Sequence, residues 1–574
     1  PIILGMAHSE VTIFSFRTQK LIRCPAGNKP SCIMPLLKHP NKLQRLIQIS
    51  KILIRNCKIY DGTGSTPFSG DILIKNDRIE AVGSIDEVEG TYVIEGDGLA
   101  ASPGFIDTHT HSDGKLLENP QHANSLRQGV TTEILGQDGL SYAPLSKENY
   151  LANRKYLSGI LGLPSPDLDM SSVASFKSHY HNQVSINTAY CIAHGAIRLE
   201  TVGFEDVPLT GAHLEKAKLL IRQGMEQNAV GLATGMSYFP NAWSDTQELI
   251  ELCKVVAEYQ GVYVTHLRDK NTDRAFGGGG VPEALEIGRR SGVKVHFSHF
   301  RTNEGNAGQV QAQTELIDKA ISEGVDVSLE LYPYPTGSTF PLSFLPSYAH
   351  EGGPDAVMDR LANSAERKRL SDYLDNDYSR PIDDAVFSYV PLHPELEGMS
   401  LPQIAASRGK SLGETLCEIL LENEGQVGYW ASPPVSVSIW DQINRDAIEL
   451  LSRPDYMVGS DSIPLGSNPH PRAYGTFPRI IGRFQRKYNM MKLEETIQRL
   501  TDNPARRFGL ESRGRIEAGY FADIVLFDPG SVIDNSTYDD PAQYPTGIPF
   551  VIVNGNIAVD NEVCTGKFSG RAIP

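Results

Sequence analysis

A chain of 574 residues, 40% hydrophobic and 21% charged, is long enough for one large domain plus a smaller one and for a sizeable buried core. Its net charge of -16 argues against a nucleic-acid surface or an anionic membrane patch, both of which need clustered Lys and Arg. Seven cysteines (Cys24, Cys32, Cys57, Cys191, Cys253, Cys417 and Cys564) are widely spaced with no CxxC, which excludes a disulfide scaffold and a cysteine zinc site and leaves reduced thiols in a cytoplasmic protein as the expectation.

In chain order, residues 1–50 stand apart. Arg17, Lys20, Arg23, Lys29, Lys38, Lys42 and Arg45 face a single acid, Glu10. This extension reads either as a mitochondrial-type presequence or as an upstream segment of no catalytic importance. No apolar run reaches the ~18 residues that span a bilayer. From Lys51 to 103, short β runs such as Ile52-Leu53-Ile54 and Ile72-Leu73-Ile74 are bounded by Gly and Asp. Residues 505–574 share that texture, in Ile524-Val525-Leu526-Phe527 and Val551-Ile552-Val553. Both ends are therefore expected in one small β-sandwich domain.

Residues 104–504 alternate strands with helical stretches, the signature of a parallel sheet. Eight strands are predicted to end near His109, Gly136, His194, Thr234, His266, His299, Tyr334 and Asp461. Helices are predicted over Leu214–Gln227 and Gln247–Tyr259 from apolar residues at helical spacing. The fold class that follows is α/β, a TIM-type (β/α)8 barrel. The gap between strands seven and eight is too long for one connection and predicts an inserted lid over about 343–435.

Catalytic groups of such barrels come from the C-terminal ends of strands. Strand one ends in His109-Thr110-His111, and side chains two apart on a strand share a face, so both can reach one ion. Strand five ends in His266 and strand six in His299, whereas His296, three residues back, faces the other way. One strand-end histidine is weak evidence; four at matching ends of one barrel are strong evidence. Strand eight ends in Gly459-Ser460-Asp461, where an Asp can ligate metal and act as a base, or merely cap the next helix.

These residues, with GFIDTHTHSD (104–113), QGVTTEILGQDG (128–139), GLATGMSY (231–238), THLRD (265–269), SHFR (298–301), YPYPTGST (332–339), VGSDS (458–462), HPRAYGTFPR (470–479) and NPARRFGL…GRIEAGYFADIVLFD (503–528), resemble the amidohydrolase superfamily. The resemblance is closest to the N-acyl-D-amino-acid deacylase (D-aminoacylase) family and runs from about Ile52 to the C-terminus. It implies zinc, one or two divalent ions, with His109, His111 and Asp461 in one site and His266 and His299 in a second. Better-known members carry a Cys in a Gly-Asn-Cys-Gly motif after strand two. This chain has Gly136-Gln137-Asp138-Gly139, so Asp138 stands as an oxygen ligand in place of a soft thiolate. The resemblance also implies a grip on the substrate α-carboxylate by Arg301, Tyr332, Ser338 and Arg472, for which a guanidinium fork is suited. Asp461 is the expected proton shuttle. His194 is open to two readings, as a group polarising the scissile carbonyl or as a satisfied core histidine.

The implied activity is hydrolysis of the amide bond of N-acyl-D-amino acids, with a small molecule as the only partner read from the sequence. A cyclic-amide hydrolase would be expected to carry a bridging carboxylated Lys on strand four, and Ala229-Val230-Gly231-Leu232-Ala233-Thr234-Gly235 has none. A dipeptidase acting on unusual peptide bonds remains an alternative. A non-catalytic scaffold is disfavoured because no strand-end ligand has been lost. Oligomeric state leaves no mark in the sequence.

Overall fold

The structure, a computed structural model, describes residues 51–574 apart from Pro381, Met490 and Pro574. The presequence reading of the basic first fifty residues falls outside the described residues. Eight strands pair in parallel and in chain order: Phe105–Asp107, Val130–Leu135, Asn187–Ala193, Gly231–Gly235, Val262–His266, Lys294–Phe297, Val327–Leu331 and Tyr456–Val458. They are called barrel strands one to eight below. Nearly every residue in them is buried, as expected of apolar runs covered on both faces.

Strands one and eight meet at the mouth through three backbone hydrogen bonds. Thr108 N donates to Val458 O at 3.3 Å, Asp461 N to His109 O at 2.8 Å and His111 N to Ser462 O at 2.9 Å. The closing seam therefore holds the His109–His111 pair against Asp461.

Helices cover the outside. The two predicted ones run over Gly211–Glu226 and Thr246–Glu258, shifted from expectation by three residues or fewer. The second starts where the Asp245 carboxylate accepts from Glu248 N at 2.7 Å, a cap that satisfies a free helix N–H. Its buried Leu249, Leu252, Cys253 and Val256 follow the i, i+3, i+4, i+7 spacing of one face.

The two chain ends share one mixed nine-stranded sheet, joined where Ala100–Pro103 pairs antiparallel with Ile524–Phe527. Alternation of side chains divides each strand between two cores. Ile52, Ile54, Ile72, Ile74, Ile524 and Leu526 enclose a core of their own. Val525, Phe527, Val551 and Val553 join the main core. Among the described residues five cysteines are free thiols, and no helix is long and apolar enough to cross a membrane.

Between strands seven and eight, Ser338–Thr339, Ala385–Tyr389 and Gly428–Ala431 form an antiparallel sheet flanked by helices Gly353–Ala362, Ser364–Asn376, Leu401–Arg408 and Leu412–Glu422. The insertion thus begins earlier than the 343 expected. Pairing of Ser338 with Trp430 and of Thr339 with Tyr429 draws the loop after strand seven into the inserted sheet.

Candidate active site and metal centre

The C-terminal ends of the strands converge on one buried cluster. His109 Nε2 lies 3.6 Å from Asp138 Oδ1 and 3.7 Å from Asp461 Oδ1. His111 Nε2 lies 3.6 Å from Asp138 Oδ2 and 3.3 Å from Asp461 Oδ1. His266 Nδ1 is 2.9 Å from His299 Nε2 and 3.5 Å from Asp138 Oδ2. The six expected metal ligands are thus brought together, with Asp138 between the two histidine pairs.

The backbone makes this convergence at a cost. Asp138, His299 and Asp461 have φ of 56°, 37° and 53°, the left-handed region that L side chains avoid. Each such residue costs of order 1–3 kcal/mol and persists only where the surroundings impose it. The turn after strand two also needs Gly136, at φ 83°, because a Cβ there would meet Cys191 O at 2.0 Å.

Two sets of ligand atoms fall within 4.8 Å of one another, one from His109, His111 and Asp461, the other from His109, Asp138 and His299. His109 Nε2 and Asp138 Oδ1 are buried and lack any hydrogen-bond partner. Buried polar atoms are nearly always satisfied, so orphaned atoms aimed at one another indicate a ligand between them. Imidazole and carboxylate together are a donor set for a borderline divalent cation such as zinc. The residues fit the metal.

Electrostatics agree. Burial works to lower the His109 pKa, but Asp138, Glu330 and Asp461 outweigh it and raise the imidazole to about 10. Burial likewise opposes ionisation of Asp461, yet Arg472, His109 and His111 hold its carboxyl far below the usual range. His299 is lowered to about 3, by burial first and then by His266. Asp138 and Asp461 concentrate negative charge that draws a proton onto His109, the same attraction that a metal cation would satisfy there.

Sequence reasoning missed the residue that orients His109. Glu330, on strand seven, accepts from His109 Nδ1 at 2.6 Å and lies 3.1 Å from His296 Nε2; Thr108 donates to its other oxygen. A carboxylate on Nδ1 fixes the tautomer and aims Nε2 at the metal position. Gly459 makes room for the pair, since a Cβ there would sit 2.5 Å from His109 Cβ and 2.6 Å from Glu330 Oε2. The available signal was a carboxylate inside the apolar run Val327-Ser328-Leu329-Glu330-Leu331. Glu133 of strand two was overlooked in the same way; it accepts from His122 at 2.8 Å and from Ser112.

His194 requires correction. It begins helix His194–Thr201 instead of facing the cavity. Nδ1 lies 3.0 Å from the Asn241 side-chain amide and Nε2 3.0 Å from Glu248 Oε1. Arg198 Nη1 donates to both Glu248 oxygens at 2.9 and 2.7 Å. With both ring nitrogens engaged in a fully buried network, no atom is left to polarise a substrate carbonyl.

Beside the metal cluster opens a cavity of about 230 Å³ whose lining includes Asp138, His266, His299, Tyr332, Ser338, Asp461 and Arg472. Arg472 is fully buried, pairs with Asp461 Oδ2 at 2.8 Å and donates to Ser338 O at 2.9 Å. Arg301 stands behind Tyr332, donating to its hydroxyl at 2.7 Å with the guanidinium 4.4 Å from the ring centroid. It braces the wall that Tyr332 presents.

The amidohydrolase family model matches residues 438–559. D-aminoacylase of Alcaligenes xylosoxydans xylosoxydans is 30% identical over 91% of this chain and 97% of its own length. The chain belongs to the D-aminoacylase family of amidohydrolases. N-acyl-D-aspartate deacylase of the same organism is 30% identical over 91% of this chain and 94% of its length. Among solved structures, N-acyl-D-glutamate deacylase of Bordetella bronchiseptica, complexed with zinc and a phosphonate mimic of the tetrahedral intermediate, superposes with a TM-score of 0.75 at 29% identity, covering 91% of this chain and 99% of that one. Within the family the structure places Asp138, not Cys, at the centre of the ligand cluster.

Proposed function

We propose that this enzyme hydrolyses N-acyl-D-amino acids to a carboxylate and a free D-amino acid, using one or two divalent ions, zinc foremost. The observation that carries the reading is the buried cluster of six ligands with orphaned His109 Nε2 and Asp138 Oδ1, opening on a cavity walled by Tyr332, Ser338 and Arg472.

His109, His111 and Asp461 would hold one ion, and Asp138, His266 and His299 the position beside it. A metal held there would supply Lewis acidity towards the acyl carbonyl and a water. Arg472, with Tyr332 braced by Arg301, orients the substrate through its α-carboxylate. That fixes which face of the amide is offered to Asp461. Asp461 accepts the proton of the attacking water and returns it to the amide nitrogen as the C–N bond breaks. Its depressed pKa keeps it ionised for the first step, and Arg472 holds its other oxygen in place. Burial of the cluster excludes competing water and strengthens each of these interactions.

The test is release of free amino acid from paired N-acetyl-D and N-acetyl-L substrates by zinc-loaded protein. D-selective turnover that chelation abolishes and zinc restores is expected. Zinc-loaded protein with no D-selective turnover over a broad panel would overturn the reading.

A further inference from the structure

The cavity has a second polar end that the chemistry above does not use. Its lining also includes Lys270 and Arg380, with Tyr238, Phe344, Tyr378 and Tyr429 as aromatic wall. Lys270 follows strand five by four residues; Arg380 comes from the insertion between strands seven and eight. The insertion therefore supplies one cation to this end of the cavity and the barrel supplies the other.

The two cations differ in how they are neutralised. Arg380 pairs with Asp269, and Asp269 also accepts from Ser237, so that carboxylate is already engaged. Lys270 donates to the Ser343 carbonyl and lies 5.5 Å from the Phe239 ring centroid. Among the described residues no carboxylate lies within 4.0 Å of its Nζ. Lys270 and Arg380 thus share one nearby carboxylate, Asp269. Burial pushes the Lys270 ammonium down to about 8, with Asp269 opposing that shift and Arg380 adding to it, so its charge is only partly compensated. Such a charge is costly to keep unless something anionic joins it.

We propose that Lys270, with Arg380 beside it, selects substrates bearing a negative charge in addition to the α-carboxylate. The inference rests on the deacylase reading above. The extra group is a carboxylate at the end of either the D-amino acid side chain or the acyl chain. It gives Lys270 a direct counter-ion, while the aromatic wall takes up the intervening methylenes. A neutral side chain leaves that half-buried ammonium with only the Ser343 carbonyl as a direct partner.

The experiment compares kcat/KM for N-acetyl-D-glutamate, N-acetyl-D-aspartate, N-succinyl-D-alanine and N-acetyl-D-methionine, in the wild type, Lys270→Met and Lys270→Arg. Binding of N-acetyl-D-glutamate and N-acetyl-D-methionine is measured by calorimetry alongside. Expected is a preference of at least about tenfold for one dicarboxylate class over N-acetyl-D-methionine, which Lys270→Met abolishes chiefly through KM and Lys270→Arg largely restores. The class preferred, side chain or acyl chain, tells which end of the substrate faces Lys270. Equal kcat/KM for acidic and neutral substrates in the wild type overturns the inference and leaves the deacylase reading standing; this arm needs no variant to fold. A preference that survives Lys270→Met also overturns it. Dicarboxylate binding that depends on Lys270, without any turnover, upholds the inference and rejects the deacylase reading.

Discussion

The barrel contains two buried charged clusters, built from similar residues, with opposite character. At the mouth, six candidate ligands from four histidines and two aspartates leave His109 Nε2 and Asp138 Oδ1 without partners, and three of the six sit in left-handed backbone. Behind the mouth, His194, Glu248 and Arg198 are equally buried, yet His194 spends both ring nitrogens on neighbours and Glu248 takes two bonds from Arg198 and one from Leu209 N at 2.9 Å. Strand-end position and burial are shared, so neither identifies a catalytic histidine. Hydrogen-bond satisfaction does. A closed network stabilises, whereas an open one with strained backbone awaits a ligand.

This contrast can be broken by mutation, and the largest effect should fall on the open cluster. Asp461→Asn should lower kcat roughly 10³-fold, the order expected for loss of a general base, as its main effect, while the lost counter-ion of buried Arg472 costs some stability besides. Near-wild-type kcat would remove Asp461 from the chemistry. In the closed cluster the effects should exchange places. Glu248→Ala strands Arg198 as a buried unpaired charge and should cost about 3–5 kcal/mol in denaturant unfolding. Whatever folds should keep kcat within a few-fold, and a selective loss of kcat at unchanged stability would return His194 to the active site.

Glu330 links the two kinds of cluster, since it closes a network and aims an open ligand. Glu330→Gln should weaken metal affinity about 10- to 100-fold, read by competition with a chelator, because second-layer carboxylates on ligand histidines have effects of that order. Unchanged affinity would reduce Glu330 to a packing role.

The smallest effect is one of pH. Burial opposes ionisation of Glu248, but Arg198 and His194 outweigh it and lower its pKa from 4.5 to about 2. A depressed carboxyl contributes stability that is present above its unfolded pKa and lost as pH falls through the folded one. The stability gap between wild type and Glu248→Gln should therefore be constant near neutrality and narrow from about pH 4.5 towards 2. A gap that widens on acidification would contradict the assignment.

Much of this was legible beforehand, for identifiable reasons. All eight barrel strands end within a few residues of their expected places because parallel strands buried on both faces must be written as apolar runs. His109, His111, His266, His299 and Asp461 stood out because polar ligands terminate those runs. Glu330 did not, since its partner His109 is 221 residues away and only barrel closure brings them together. His194 and His299 look alike at their strand ends; Glu248, 54 residues beyond His194, distinguishes them. The two-residue strand Ser338–Thr339, ahead of residue 343, is defined by its pairing with Gly428–Ala431 and not by its own composition, so nothing local in the sequence marks it.

The sequence by itself determined that a barrel ends in metal-ligand residues, because strand periodicity and the C-terminal placement of polar groups are local properties of the chain. Only the tertiary structure decided that Asp138 sits between the histidine pairs, that His194 is structural, and that Lys270 lines the same cavity without a carboxylate partner. Those facts depend on which buried charges find partners, and partners are supplied by segments distant in the chain.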